Sequence, residues 1–575
     1  MLSIRRLLQL IAIAVFIGVA FLLLTISNNS NNEGKNIYVD SHIHLITSGK
    51  LPMNSNNQEY LVVSNKETPT EKLIQQNIVS TLSSMKLHFK TVTTITEIDL
   101  NSNPTVIFSV AQISNCGNIM GLISNYIGSG GKVLFAAGIP EGKQDSYLYP
   151  VWGIVDYPGN RKITNNFEVS SDFLPYSAVS VTFKGNNAST VLPLGPNTKV
   201  FVRSKDGLPV IYSNLFNDFK TVIINGDLLK EKYASGFFSA SLGALKGDLL
   251  YPIIGTKTVF IDAFPPIANI DDTRTTNLYG RSTEAFLRDV FWPQLLSTQI
   301  VNNLKYTASI LTIIPKYYDT SQINKRLFTF IFHEIINRKG EIIISGDHSK
   351  ESSLTSEQMK EAKAFFKNSF SNYQFNAYSV LFGNPNKETL KLITDNFDES
   401  KIIVGVLNGD PKTQFTHDFG EDESYIYFPS VSNGFTGEDG ATFDFLSALT
   451  SKGVVSHSFN IESLLKNYDN KSKWDDVKIK FSELSKNFFE KTSWLKSATV
   501  SDASNNVKAY SRLKTNITES SSEIKVFCDN FMVNQTFMLR SDREIKEVVG
   551  GSFNKISDSY YQIIAETPSF TVVFA

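Results

Sequence analysis

The sequence predicts an α/β protein held to a membrane at its N-terminus: a transmembrane helix, a three-layer α/β domain, a (β/α) barrel and a small β-sandwich. Three observations predict it. Residues 7–26 form an apolar run behind Arg5 and Arg6. From about residue 36 to about residue 499, short apolar strand patterns alternate with amphipathic helical ones. After about residue 500 the pattern changes to short β-branched and aromatic runs without a helical period.

The apolar run comes first. About 20 residues at roughly 1.5 Å rise match the hydrocarbon thickness of a bilayer. Only Gln9 and Thr25 are polar inside it, and a helix satisfies its own backbone groups there. Basic residues precede the run and the next follows only at Lys35, so the positive-inside rule keeps the N-terminus in the cytoplasm. The run is longer than the core of a cleavable signal, and no Ala-x-Ala exit follows it. Residues 1–26 therefore read as a retained signal-anchor, single-pass in the cell membrane, with the rest of the chain outside. Residues 27–35, rich in Asn and Ser, read as a tether.

Residues 36–250 form the first folded unit. Residues 60–63, 105–110 and 132–137 are apolar strand patterns, with helical spacing over 69–86 and 119–127. Helices between wholly apolar strands imply a parallel sheet covered on both faces, here flavodoxin-like. Its later part turns antiparallel, with a hairpin about Asp206-Gly207. Residues 251–499 restart the alternation, with strands at 258–261, 309–314, 341–345, 377–382 and 402–407 and amphipathic helices between them, the pattern of a barrel. Residues 500–575 carry strands near 524–527, 534–539, 560–565 and 569–574, a small sandwich.

Composition limits the function. With 42% hydrophobic and 19% charged residues the chain is a folded one. A formal charge of −1 gives no overall attraction to nucleic acid. Cys116 and Cys528 are the only cysteines, which excludes a disulfide framework and a zinc site of several thiolates. Their separation favours two free thiols.

Several motifs are weighed and set aside. Asp40-Ser41-His42-Ile43-His44 has the spacing of a metal-binding strand, but His88 is the only nearby histidine that could join it, so it reads as a polar strand after the tether. Gly128-Ser129-Gly130-Gly131-Lys132 lies between a helix and a strand, the reverse of a phosphate loop, so it reads as a turn. Cys116 lacks the glycine elbow of a nucleophile, and His333-Glu334 lacks the second histidine of a metalloprotease helix.

The chemistry is sought at barrel strand ends. Asp262 ends the run Phe260-Ile261-Asp262-Ala263-Phe264-Pro265-Pro266; Arg281, Arg288 and Trp292 follow. Asp347-His348 ends a second strand and His457 lies in a third. This order resembles the polysaccharide deacetylases of the NodB kind, and more closely a membrane-anchored bacterial family with such a core, associated with exopolysaccharide production of the Pel type. The resemblance implies a catalytic Asp262 as base and His457 as acid, around a divalent metal such as zinc that polarises an amide and acidifies water. Yet Ala263 stands where a metal-binding Asp is required, and His348 has Ser352, not histidine, four residues on. His348 and Asp347 are the remaining ligand candidates. The expectation is a barrel degenerate at its metal site, with no cofactor, that binds a surface polysaccharide or scaffolds exopolysaccharide synthesis proteins. The alternatives are an active deacetylase of an N-acetylhexosamine polymer and a glycoside hydrolase using two barrel carboxylates. Residue by residue, plainer roles stand beside these. Asp262 can cap its loop, His457 can be a satisfied buried histidine, and Arg281, Arg288 and Trp292 can pair and pack instead of contacting sugar.

Overall fold

A computed structural model describes residues 45–47, 60–265, 272–313, 324–347, 356–369, 373–382, 385–397, 401–406, 417–437, 440–465 and 474–575. The expected membrane helix and tether, the Asp40 to His44 motif and His348 lie outside the described residues. Among the described residues no helix is long and apolar enough to cross a membrane.

The first sheet is parallel on one side and antiparallel on the other. Phe89–Val92, Tyr60–Val63, Thr105–Phe108, Val133–Phe135 and Phe219–Ile224 lie side by side in parallel. Tyr60–Val63, Thr105–Phe108 and Val133–Phe135 are buried along their whole length, as central strands covered on both faces must be. Beyond Phe219–Ile224 the pairing is antiparallel through Pro209–Phe216, Thr198–Ser204, Arg161–Val169 and Val179–Thr190. Helix Pro69–Ser84 starts at a capping box between Thr68 and Glu71, with proline at its first position, and buries Ile74, Ile78 and Leu82.

The second sheet is curled. Thr256–Asp262, Tyr306–Ile313, Glu341–Asp347, Ala377–Phe382, Ile402–Val406 and Ile426–Ser430 follow one another in parallel, and Val454–Asn460 pairs on the free side of Thr256–Asp262. One stretch of chain ties the ends together: Ile426–Ser430 pairs with Ile402–Val406, while Ser432–Asn433 pairs with Val454–Asn460. The two faces segregate as strand alternation requires. Phe260, Ile343, Ala377, Val404 and Phe428 pack together inside the curl. Val259, Ile261, Ile310, Ile342 and Ile344 pack outward among helical residues such as Leu327 and Ile331.

Helix Val500–Arg512 fills one end of the curl, its Val500, Ala503 and Val507 joining the inner cluster. This corrects the expectation that helices stop at about residue 500. Val500, Ala503, Val507 and Tyr510 recur at helical spacing and form its buried apolar face, a period that the strand-like runs downstream overshadow. Thr499 caps it by accepting from the Asp502 N–H, and the buried Glu341 accepts from the Ser501 N–H at 3.0 Å and from its hydroxyl.

Two four-stranded antiparallel sheets follow. One holds Lys514–Glu519, Glu523–Asp529, Ser569–Phe574 and Ile545–Val549. The other holds Leu249–Ile253, Gln535–Arg540, Tyr560–Ala565 and Gly551–Lys555. Leu250, Val526, Leu539, Ile563 and Val572 form their shared core. Leu249–Ile253 comes from upstream of the curled sheet, a non-local pairing that no local pattern announces.

Helix Ser235–Lys246 crosses helix Ala441–Lys452 at close range. A Cβ on Gly236 would stand 2.3 Å from the Ser447 carbonyl oxygen, and the Gly236 N–H donates to Ser447 Oγ at 2.8 Å. Cys116 and Cys528 are both buried free thiols.

Candidate functional site at the strand ends of the curled sheet

Asp262 closes its strand on the inner face, in step with Phe260 and Thr258. Its side chain is fully buried. Oδ1 accepts from Ser309 Oγ at 2.9 Å, and Oδ2 is buried without a hydrogen-bond partner. Loss of solvation pushes the carboxyl up to about 7; Ser309 and the nearby Ser458 hydroxyl pull the other way. The chain then turns sharply. Ala263 adopts a left-handed φ of 53°, its N–H donating to Ser309 Oγ at 3.3 Å, while the Phe264 N–H donates to the Ser309 carbonyl at 2.9 Å. Phe264 is stacked on Trp292, with ring centroids 5.8 Å apart, and meets Phe291 edge-on. This aromatic cluster closes over the strand end. Ser309, which sequence reasoning passed over, is the residue that organises the turn; its only signal was a lone serine in an apolar strand.

The neighbouring inner positions are hydroxyls. Parallel register and alternation place Thr258, Ser309, Ser379 and Ser458 on the inner face with Asp262. The hydroxyls of Thr258 and Ser379 are buried without partners, and the Ser458 hydroxyl faces the Asp262 carboxyl. Polar atoms left this way are sites for internal water.

His457 is not part of this arrangement. It stands opposite Val259, whereas Asp262 stands opposite Asn460 three residues on, so alternation sends the two side chains to opposite faces. The ring is fully buried among Phe459, Phe488 and Phe489. Nε2 lies 2.9 Å from the Gly434 carbonyl, which can only accept, so this nitrogen carries the proton. Nδ1 lies 2.8 Å from Ser432 Oγ and accepts from it. Burial lowers the ring to about 4. A neutral imidazole with both nitrogens engaged has no proton to give a leaving amine, so in this structure the expected acid is a satisfied core histidine.

The expected sugar contacts also resolve as packing and pairing. Trp292 is 2% exposed, its indole N–H 3.4 Å from Glu334 on helix Lys325–Asn337. Arg288 pairs with Asp289 at 2.8 Å and with Glu284 at 3.5 Å, and Arg281, just before the helix, reaches Asp289 at 3.5 Å, all at a partly exposed surface. Asp347 ends its strand as expected; His348 lies outside the described residues. Cys116 is buried, and loss of solvation pushes its thiol up to about 11, away from the thiolate that a nucleophile needs. Gly128-Ser129-Gly130-Gly131-Lys132 forms the helix-to-strand turn that its order predicts.

Among the described residues, the groups around Asp262 do not make up a divalent-metal site. Among the described residues no three His, Cys, Asp or Glu side chains converge to hold one. The groups near the carboxylate are hydroxyls, Ala263 contributes no ligand, and His457 points away.

Comparison with known proteins gives a family and a fold. A family model described as an uncharacterised protein conserved in bacteria (DUF2194) matches residues 154–562. No curated protein matches the chain. The crystal structure of Agd3, a novel carbohydrate deacetylase, superposes with a TM-score of 0.53 at 10% identity, covering 90% of this chain and 98% of that one. At that identity the likeness establishes fold alone. A ThuA-like protein from Bacteroides uniformis aligns over 34% of this chain and 94% of its own, at 11% identity and a TM-score of 0.26.

Proposed function

The chain belongs to the DUF2194 family of bacteria, and on that premise we propose that it is a membrane-anchored, extracytoplasmic relative of polysaccharide deacetylases that engages a surface polysaccharide without hydrolysing it. The anchor is the apolar run at residues 7–26. The setting is exopolysaccharide production of the Pel type, where the protein binds glycan or holds synthesis proteins in place. The likeness to a carbohydrate deacetylase across most of both chains supports a carbohydrate role. The observation that carries the loss of hydrolysis is the surroundings of Asp262: a buried carboxyl beside hydroxyls, with the expected acid His457 on the opposite face.

Full-length protein in detergent is the material for the test. Divalent metal is measured by elemental analysis, acetate release is followed on a partly N-acetylated hexosamine polymer, and polymer retention by sedimentation. The expected result is substoichiometric metal, no acetate and retained polymer. Stoichiometric metal with acetate release would replace this reading with an active deacetylase. Shortened sugar chains would replace it with a glycoside hydrolase. Protease added to intact cells should digest the bulk of the chain; full protection would refute the topology.

A further inference from the structure

Among the described residues, exposed aromatic rings are scarce. Among the described residues only two tyrosines stand well out into solvent, Tyr147 at 61% and Tyr157 at 55%. Both belong to the excursion that leaves the C-terminal end of Val133–Phe135 and returns as Arg161–Val169. Val155 is exposed beside them in sequence. Ligands of parallel α/β sheets are met outside the carboxyl ends of the strands, which is where this excursion lies.

The excursion is held rigidly. Asp145, in a left-handed conformation at φ 52°, is buried and accepts from the Ile113 N–H at 2.7 Å and the Ser114 N–H at 3.3 Å. Trp152 is fully buried and meets Phe135 edge-on at 5.7 Å. Tyr149 packs against both Trp152 and Tyr157, and its hydroxyl donates to the Gly142 carbonyl. Lys143 Nζ sits over the Tyr157 ring at 4.7 Å. The Tyr157 ring therefore sits on fixed backing, so little ordering entropy opposes a ligand there.

Two carboxylates of the same excursion have acceptor capacity in hand. Glu141 commits Oε1 to the Arg161 N–H at 2.8 Å, and Asp156 commits Oδ1 to the Tyr157 N–H at 2.7 Å. Each carboxylate has a second oxygen to offer hydroxyl or amine donors, while the backbone bond fixes its direction. Rings that stack on C–H faces, acceptors that take hydroxyls and amines, and one cation are the complement of a hexosamine unit. A partner protein would call for a broader apolar surface than two rings interleaved with charge.

We propose that Tyr147 and Tyr157, together with Glu141, Asp156 and Lys143 of the same excursion, form a stacking platform for a hexosamine polymer, on a different sheet from Asp262. This rests on the carbohydrate reading above and adds the place where the chain is held.

Full-length protein in detergent is titrated calorimetrically with β-1,4-linked N-acetylglucosamine hexamer and with its deacetylated form. Tyr147→Ala and Tyr157→Ala should each weaken binding roughly three- to tenfold, the weight of one aromatic stack, and the double variant more. Tyr157→Trp should keep affinity, which separates stacking from damage to the fold. Equal affinity in the parent and the double alanine variant would overturn the platform while leaving polymer binding intact. A parent that binds neither hexamer nor the hexosamine polymer would overturn the carbohydrate reading itself.

Discussion

Replacing Asp262 by Asn tests whether the curled sheet carries a neutral buried acid or a charged ligand. The acid's folded-state value is about 7, against an ordinary 3.8, and burial is the cause. Between those values the unfolded chain gives up this proton and the folded chain keeps it. Folded stability therefore falls as pH rises from about 4 to 7, and the full cost remains above 7. At 1.36 kcal/mol per decade the cost is on the order of 4 kcal/mol. Asparagine keeps an acceptor for Ser309 Oγ and cannot ionise. The assay is urea unfolding of parent and variant across pH 4–8, read as the variant-minus-parent difference. Only the difference isolates Asp262, because His457 titrates with the opposite sign. The expected difference curve rises across that window, leaving Asp262→Asn the more stable protein at pH 8. A flat curve would refute the buried-acid reasoning. A falling curve would show a carboxylate held charged by a cation, and with it a working metal site.

Two further substitutions probe what holds the fold. His457→Phe strands the Gly434 carbonyl and Ser432 Oγ in an apolar setting and should cost about 3 kcal/mol in unfolding free energy at pH 7. Because the parent histidine is lowered from 6.5 to about 4, its stability contribution is present above pH 6.5 and is lost as pH falls toward 4. The variant should lack that loss, and unfolding at pH 7 and 4.5 will show whether it does. Gly236→Ala drives a methyl into the Ser447 carbonyl on the facing helix; thermal unfolding should report a loss of about 3 kcal/mol, and an unchanged midpoint would mean the two helices slide apart freely.

Legibility in the sequence follows locality. The central strands of both large sheets are legible because burial on two faces leaves wholly apolar runs such as Tyr60–Val63 and Thr105–Phe108. The hairpin about Asp206-Gly207 is legible because its turn chemistry is local; the flanking strands Thr198–Ser204 and Pro209–Phe216 do pair. Helix Val500–Arg512 was legible as well, since Val500, Ala503, Val507 and Tyr510 recur at helical spacing behind the Thr499 cap, but the strand-like runs that follow drew the domain reading to all-β. Strand Leu249–Ile253 was hidden by distance, since its partner lies at Gln535–Arg540. At the site, Asp262 falls at a strand end as expected. What no pattern could show is the register against Val454–Asn460, and that register alone turns His457 away from Asp262. Trp292 and the two arginines were chosen by residue type, and type does not tell an aromatic packed on Phe264 from one facing solvent.

The pairing of Leu249–Ile253 with Gln535–Arg540 also sets an order of assembly. A chain emerging N-terminus first produces that strand early and must keep its bare edge from sticking to other chains until the last residues arrive. The closing sheet then acts as a clasp, so a nascent chain cut short before residue 535 would leave the clasp open and the edge available for aggregation.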